Sequence, residues 1–206
     1  MHKFPRNAGI NIIILLLIFL PVQLFAQSDP DEETDWENYQ YDYYAPGDQT
    51  FQISLGVAVP TVYLDYQRKP MVNNAPVGGV GSLIFNYYIK PKLYVGGELS
   101  GMFVPTKGGN TMFVIPLGPR IGTQFIVGRF EFPIAASIGM AWQTFLSHRY
   151  FGMYMKGGGG ALVRAKNNWA FGLSTNLYWF PQWTKEKEKN ADALFLDITF
   201  SARYHF

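Results

Sequence analysis

The stretch "LFLDITFSARYHF", residues 194–206, sorts its side chains into two sets by position parity. Successive side chains of a β-strand point to opposite faces, so the stretch predicts a strand with two unlike faces. The bulky face carries Leu196, Ile198, Phe200, Tyr204 and Phe206, and the opposite face carries Asp197, Arg203 and His205. Some second layer must cover the bulky face.

The same two-residue period recurs along residues 49–206 and predicts eight strands in all. Most of them are 10 to 14 residues long, which exceeds the usual globular strand and suits a tilted bilayer crossing. Their predicted positions are about 50–59, 79–89, 93–103, 112–127, 130–143, 154–164, 169–179 and 194–206.

The predicted connections alternate in length, which is typical of a transmembrane β-barrel. Three are tight ("KPK", "VGR" and "KNN"), and four are longer, at about 60–77, 104–111, 144–150 and 181–192. Backbone groups in hydrocarbon must all be paired, so the strands should close on themselves. We therefore predict an all-β protein: a closed eight-stranded antiparallel transmembrane β-barrel with short periplasmic turns and longer extracellular loops, whose bulky face meets lipid.

Composition excludes several kinds of site. Charged residues make up only 16% of the 206 residues, and cysteine is absent, which removes disulfides, thiol chemistry and cysteine metal sites. With three histidines in the chain, we predict no metal and no cofactor. Lysines at 185, 187 and 189 alternate with glutamates, which indicates a solvated loop and no nucleic-acid partner.

The N-terminus predicts export. Lys3 and Arg6 precede an apolar run, and "PVQLFAQ" offers cleavage after Ala26, so residues 1–26 are predicted to be a signal peptide. The alternative is an anchoring helix, for which the run is short. Residues 27–48 hold eight of the fifteen acidic residues and predict a disordered, tyrosine-rich leader, with the barrel occupying 49–206.

Seven charged side chains fall on the inward phase of their strands. This placement favours a barrel in lipid, because an outward charge near the bilayer midplane would cost about 2–4 kcal/mol. Two interpretations remain open: a structural plug in which opposite charges pair and block the lumen, or a narrow conduit lined by the same charges. The predicted interior network consists of Glu98, Arg120, Glu131, Lys156, Arg164, Asp197 and Arg203.

Aromatic residues near the predicted strand ends suit interface belts; among them are Phe103, Trp142, Trp169 and Trp179. With these features the chain resembles the small outer-membrane barrels of the OmpA/OmpX/OmpW type over about residues 49–206. The resemblance implies that the last strand, through Phe200, Tyr204 and terminal Phe206, is an assembly signal for the outer-membrane insertion machinery. It does not cover the acidic leader.

Function follows less closely from the pattern. We predict a monomeric outer-membrane protein with both termini periplasmic, in contact with outer-membrane lipids. Its predicted role is structural or surface-interactive, through loops that would meet an extracellular ligand. The alternative is an OmpW-like conduit for small or hydrophobic molecules, to which Pro116 and Pro119 point as a lateral gap. Some barrels of this kind are lipid-modifying enzymes, but Ser147 and His148 lack an evident acidic partner, so no enzyme is predicted.

Overall fold

Eight antiparallel strands close into a barrel, as predicted. The structure is a computed structural model that describes residues 44–71, 76–106, 109–145, 148–165, 168–183 and 190–206. The strands are β1 (Gln49–Leu64), β2 (Gly78–Lys90), β3 (Leu93–Pro105), β4 (Thr111–Val127), β5 (Phe130–Phe145), β6 (His148–Arg164), β7 (Trp169–Gln182) and β8 (Ala191–His205). Within these described residues, no helix is long and apolar enough to cross a membrane.

Each strand pairs with its neighbours in sequence, and β1 also pairs with β8. That last ladder runs from Thr50 opposite His205 to Leu64 opposite Asp192, with one irregularity between Pro60 and Val62. Proline cannot donate to a ladder, which is why a bulge forms there. The ladder leaves no open edge in the sheet, as the hydrocarbon requires.

The two faces of the wall differ as the alternation predicts. Leu55, Leu117 and Leu173 face outward and are each at least 60% exposed, whereas Gln124 and Thr199 on the inward phase are at most 2% exposed. An outward leucine that meets water would be unfavourable, and one that meets acyl chains would not. The exposed belt is therefore a lipid-facing surface.

The barrel has two unlike ends. At the short-turn end, residues 91–92, 128–129 and 165–168 connect the strands; at the long-loop end, the connections are 65–77, 106–110, 146–147 and 183–190. The predicted long loop at 144–150 is wrong, because only two residues separate β5 from β6. Pairing continues there, with Thr144 opposite Arg149 and Phe145 opposite His148.

Several strands also extend beyond the predicted segments. β1 continues to Leu64, β6 begins at His148 and β7 continues to Gln182, each at the long-loop end. Strict apolar alternation is required only where a strand meets hydrocarbon, whereas backbone pairing continues beyond it. The two-residue apolar period therefore identified the lipid-facing part of each strand. The hydrogen-bonded ladders extend beyond that part.

The predicted signal peptide, residues 1–26, and most of the predicted leader lie outside the described residues. The last five leader residues, 44–48, are described and belong to the barrel. The Gly47 amide donates to the Tyr88 carbonyl at 2.8 Å, and the Tyr88 amide donates to the Asp48 carbonyl at 2.9 Å. Tyr44 is only 2% exposed. The predicted disordered leader, residues 27–48, therefore includes five residues too many at its C-terminal end, because Tyr44 contacts aromatic and polar side chains inside the barrel.

Candidate functional site

The middle of the lumen holds a network of four charges, which we name the central cluster: Glu98, Arg120, Lys156 and Asp197. Glu98 accepts from Lys156 and lies 3.3 Å from the Arg120 guanidinium, while Lys156 is 3.9 Å from Asp197. All four side chains are at least nine-tenths buried. Burial weakens screening by water, so opposite charges at these distances hold one another in place.

Neutral donors add further hydrogen bonds to the two carboxylates of the central cluster. Ser100 and Ser137 donate to Glu98 at 2.8 and 3.1 Å, and Asn176 donates to Asp197 through both its backbone amide and its side chain at 2.8 Å. The Lys156 ammonium also lies 4.6 Å from the centroid of the Tyr178 ring, a cation–π distance. Buried charges are tolerated when they are paired and hydrogen-bonded in this way.

A second network, the mouth cluster, lies toward the short-turn end and consists of Glu131, Arg164 and Arg203. Arg203 is 1% exposed and lies 3.2 Å from Glu131, whose other oxygen accepts from Arg164. Arg203 also donates to Gln124 at 2.7 Å and to Gln52 at 2.9 and 3.1 Å. The two clusters together place all seven predicted interior charges in the lumen.

Tyr44 covers the mouth cluster. Its hydroxyl donates to both oxygens of Glu131 at 3.1 Å, and its ring stacks on that of Tyr88 with centroids 4.1 Å apart and an interplanar angle of 6°. The Arg164 guanidinium lies 4.7 Å from the Tyr44 centroid. Asp48, four residues on, lies 3.2 Å from His205. The Tyr44–Asp48 segment therefore closes the short-turn end of the lumen.

Little space remains between the two clusters. The cavity there holds about 10 Å³ and is lined by polar groups such as Ser54, Ser174 and Arg203. Ser201 binds Ser54 at 2.8 Å and Ser174 at 3.0 Å, so serines bridge neighbouring strands at this level. A volume of about 10–15 Å³ accommodates one water molecule. The polar half of the lumen is filled by its own side chains.

The long-loop half of the lumen is apolar, which the sequence analysis missed. Tyr154, Tyr178, Phe180 and Phe195 are each at most 1% exposed and pack into one cluster with Val114. The signal was available, because near this end β7 carries Tyr178 and Phe180, and β8 carries Phe195, on the inward phase. We name this apolar chamber the vestibule. It encloses a cavity of about 190 Å³.

A groove lies on the outer wall at the level of the central cluster. It encloses about 610 Å³ and is lined by Pro119 and Ala136 together with the bulkier Tyr87, Ile138 and Met155. The small side chains of Pro119 and Ala136 leave this space on the wall, and the larger side chains border it. Nearby, the β4–β5 ladder skips from Leu117↔Met140 to Arg120↔Ser137. Proline interrupts ladders, so the wall is weakest next to Pro119.

The remaining predicted residues lie outside the lumen or outside what is described. Phe103, Trp142, Trp169, Phe200 and Phe206 are 39 to 65% exposed, and Tyr204 and Trp179 are half-buried. Ser147 lies outside the described residues, and of His148 only the backbone at the start of β6 is described. Among the described residues, no group of three or more histidine, aspartate or glutamate side chains is placed to hold a metal.

A closed eight-stranded wall with a buried charged interior and an apolar exterior defines the fold of a small outer-membrane β-barrel. The chain is similar in structure to Neisserial surface protein A, with a TM-score of 0.61 and 10% identity over 78% of this chain and 99% of that one. It is also similar to the outer membrane protein OprG of Pseudomonas aeruginosa, with a TM-score of 0.50 and 11% identity over 79% and 97%. The predicted resemblance in architecture is confirmed.

A comparison by sequence matches a longer part of the chain than the two structural comparisons do. A protein-family model matches residues 28–204, most of the chain, so the chain belongs to the family that this model describes. An uncharacterized protein of Treponema pallidum (strain Nichols) is 25% identical over 177 residues, 81% of this chain and 80% of the relative. One of Borreliella burgdorferi is 27% identical over 152 residues, 63% and 71% of the two chains.

Proposed function

We propose that this protein is an outer-membrane barrel that does not conduct ions and acts through its long-loop end. In this proposal a signal peptide over residues 1–26 directs export, and the strand ending at Phe206 is read by the insertion machinery. The short-turn end and both termini face the periplasm. The outer-membrane fold and the outward apolar belt support the outer-membrane location.

The filled lumen carries the non-conducting part of the proposal. The two ion-paired clusters leave a cavity of about 10 Å³ between them, and Tyr44 covers the mouth cluster. A hydrated ion needs far more space than one water molecule. Neither cluster can move aside without exposing an unpaired buried charge, which is strongly unfavourable.

Exposed aromatic and basic residues at the long-loop end support surface interaction. Tyr66 and Trp183 are 49% and 60% exposed. Arg68 lies two residues after Tyr66, Arg149 lies on β6 beside the strand that precedes Trp183, and both arginines are exposed. The Trp183 backbone amide donates to the Tyr150 hydroxyl at 2.9 Å, which fixes the start of that connection. Tyrosine, tryptophan and arginine are the residues that dominate binding energy at protein interfaces.

Planar-bilayer recording tests the closed lumen. The purified wild-type protein is expected to give no discrete conductance steps. A variant with Glu98→Ser, Lys156→Ser, Glu131→Ser and Arg203→Ser removes one ion pair from each cluster, leaves the net charge of the lumen unchanged and is expected to give them. Lys92→Ser, an exposed lysine in a short turn, is the control and should remain silent. Regular steps from the wild-type protein would contradict the proposal.

The alternative is a lateral conduit for small hydrophobic molecules, and one observation favours it: the outer groove lies next to the interrupted β4–β5 ladder. Such a route would cross the wall without an aqueous pore, so bilayer recording would remain silent. Vesicle uptake of a hydrophobic dye separates the two functions. Ala136→Trp, which fills the groove, would slow uptake through a conduit and would change nothing for a closed barrel.

A further inference from the structure

We propose that the vestibule is a binding site for a small, neutral, mainly apolar molecule that carries one hydrogen-bond acceptor, and that the Gln143 side-chain amide recognises that acceptor. The site is independent of whether the ligand goes on to cross the wall. It therefore goes beyond both candidate functions, and a non-conducting barrel could contain it.

The shape and lining of the cavity set the class of ligand. Tyr63, Met112, Val114, Phe180 and Phe195 line a volume of about 190 Å³. A dry apolar cavity of about 150 Å³ is large enough to bind benzene, so this one suits a ring with a short substituent. Aromatic walls also favour a flat ligand, because Phe195 meets Tyr63 and Phe180 edge to face.

The charge of the lining sets the charge of the ligand. Among the described residues, the cavity is lined by apolar side chains and by the amides of Gln143 and Gln182, with no ionisable group other than the Tyr63 phenol. An ion placed there would lose its hydration without gaining an opposite charge. The ligand is therefore uncharged.

Gln143 supplies the point of recognition. Its side-chain oxygen accepts a hydrogen bond from Gln182 at 2.9 Å, which fixes the amide orientation. Its nitrogen has no partner among the described residues, although Gln143 is only 6% exposed. A buried donor left without an acceptor is unfavourable, and a ligand oxygen placed beside it would remove that loss. The donor thus selects for a carbonyl, hydroxyl or ether oxygen.

The test compares two ligands of nearly equal shape: acetophenone, which has a carbonyl oxygen, and α-methylstyrene, in which a methylene group replaces it. The full mature protein, folded in detergent micelles, is labelled at its methionine methyl groups. Met71 and Met112 line the cavity, and Met140 and Met155 are exposed on the outer wall. Met71 is itself 42% exposed, so the half-buried Met112 is the decisive reporter of the cavity. The outer pair reports ligand that has merely dissolved in the micelle.

The expected result is saturable shifts of the Met71 and Met112 signals, with half-saturation by acetophenone at a concentration about three- to tenfold lower than for α-methylstyrene, the range of one neutral hydrogen bond. Gln143→Leu should abolish this preference and retain α-methylstyrene binding. Gln67→Leu, an exposed glutamine in the 65–77 connection, should change neither. Ala193→Leu, which fills the cavity, should prevent both ligands from binding.

Two outcomes would overturn the proposal. In one, the Met71 and Met112 signals shift no more than those of Met140 and Met155. In the other, the preference for acetophenone survives in Gln143→Leu. Gel migration before and after boiling shows whether each variant has folded, and bilayer recording of the same samples keeps failure of the site distinct from failure of the closed barrel.

Discussion

Glu98 is the residue on which the central cluster depends, because it faces two cations from two other strands. Lys156 on β6 and Arg120 on β4 both approach its carboxylate. The phase of each strand predicted that these three charges would lie inside. It could not predict which would pair, because the pairing depends on how far the strands are staggered around the closed barrel. Tyr44 was missed because its partners lie in distant strands and leave no local pattern.

Glu98→Gln should destabilise the folded barrel strongly, since it leaves Arg120 and Lys156 buried with one fewer anion. Removing one member of a buried ion pair lowers the free energy of unfolding by about 3–5 kcal/mol. Urea titration of the protein folded in lipid vesicles measures it. Lys92→Gln in a short turn is the control and should remain within about 0.5 kcal/mol of the wild type. An equal effect of the two substitutions would show that the cluster contributes nothing to stability.

At the scale of the strand, the glycines divide into those that face open space and those that face a neighbour. Gly122 on β4 lies opposite Tyr94 on β3, and a Cβ atom added to Gly122 would meet the Tyr94 ring at 2.4 Å. A Cβ atom added to Gly101, on the outward phase of β3, would have nothing within 4 Å. Alternation predicts which face each glycine occupies, but only the register shows what covers it.

Gly122→Ala should therefore destabilise the barrel and Gly101→Ala should not. The first must displace a buried ring that packs on Tyr88, and overpacking of this kind costs about 1–3 kcal/mol. The second restricts the unfolded chain without a clash and should be neutral or stabilising by up to about 1 kcal/mol. Urea midpoints in the same vesicles compare the two. If Gly122→Ala proved as stable as Gly101→Ala, the tight Tyr94 contact would be refuted.

For the whole molecule, period and connection lengths were sufficient to predict strand number, closure and the lipid-facing side. They were not sufficient for the interior of the long-loop half, where Phe180 and Phe195 face inward. β7 and β8 carry aromatic residues on both faces: those on the outer face suit contact with lipid, and those on the inner face form a packed core. A two-residue period cannot distinguish a lipid-facing aromatic residue from one that packs in the lumen. The short 146–147 connection was missed for the related reason that pairing continues beyond hydrocarbon.

Orientation in the membrane can be tested with single cysteines, because the chain has none of its own. Lys69 lies in a long-loop connection and Lys92 in a short turn, and both are exposed. In intact cells, a membrane-impermeant maleimide should label Lys69→Cys and spare Lys92→Cys until the outer membrane is permeabilised. The opposite pattern of labelling would reverse the proposed orientation.

The ladder between β1 and β8 has a consequence for biogenesis. The final backbone bond, from the Phe206 amide to the Gln49 carbonyl at 3.0 Å, joins the two extremes of the barrel sequence. Without β8, β1 pairs on one side only, with β2, and the sheet keeps two unpaired edges that could adhere to other chains. Closure of the wall therefore requires all eight strands to be present.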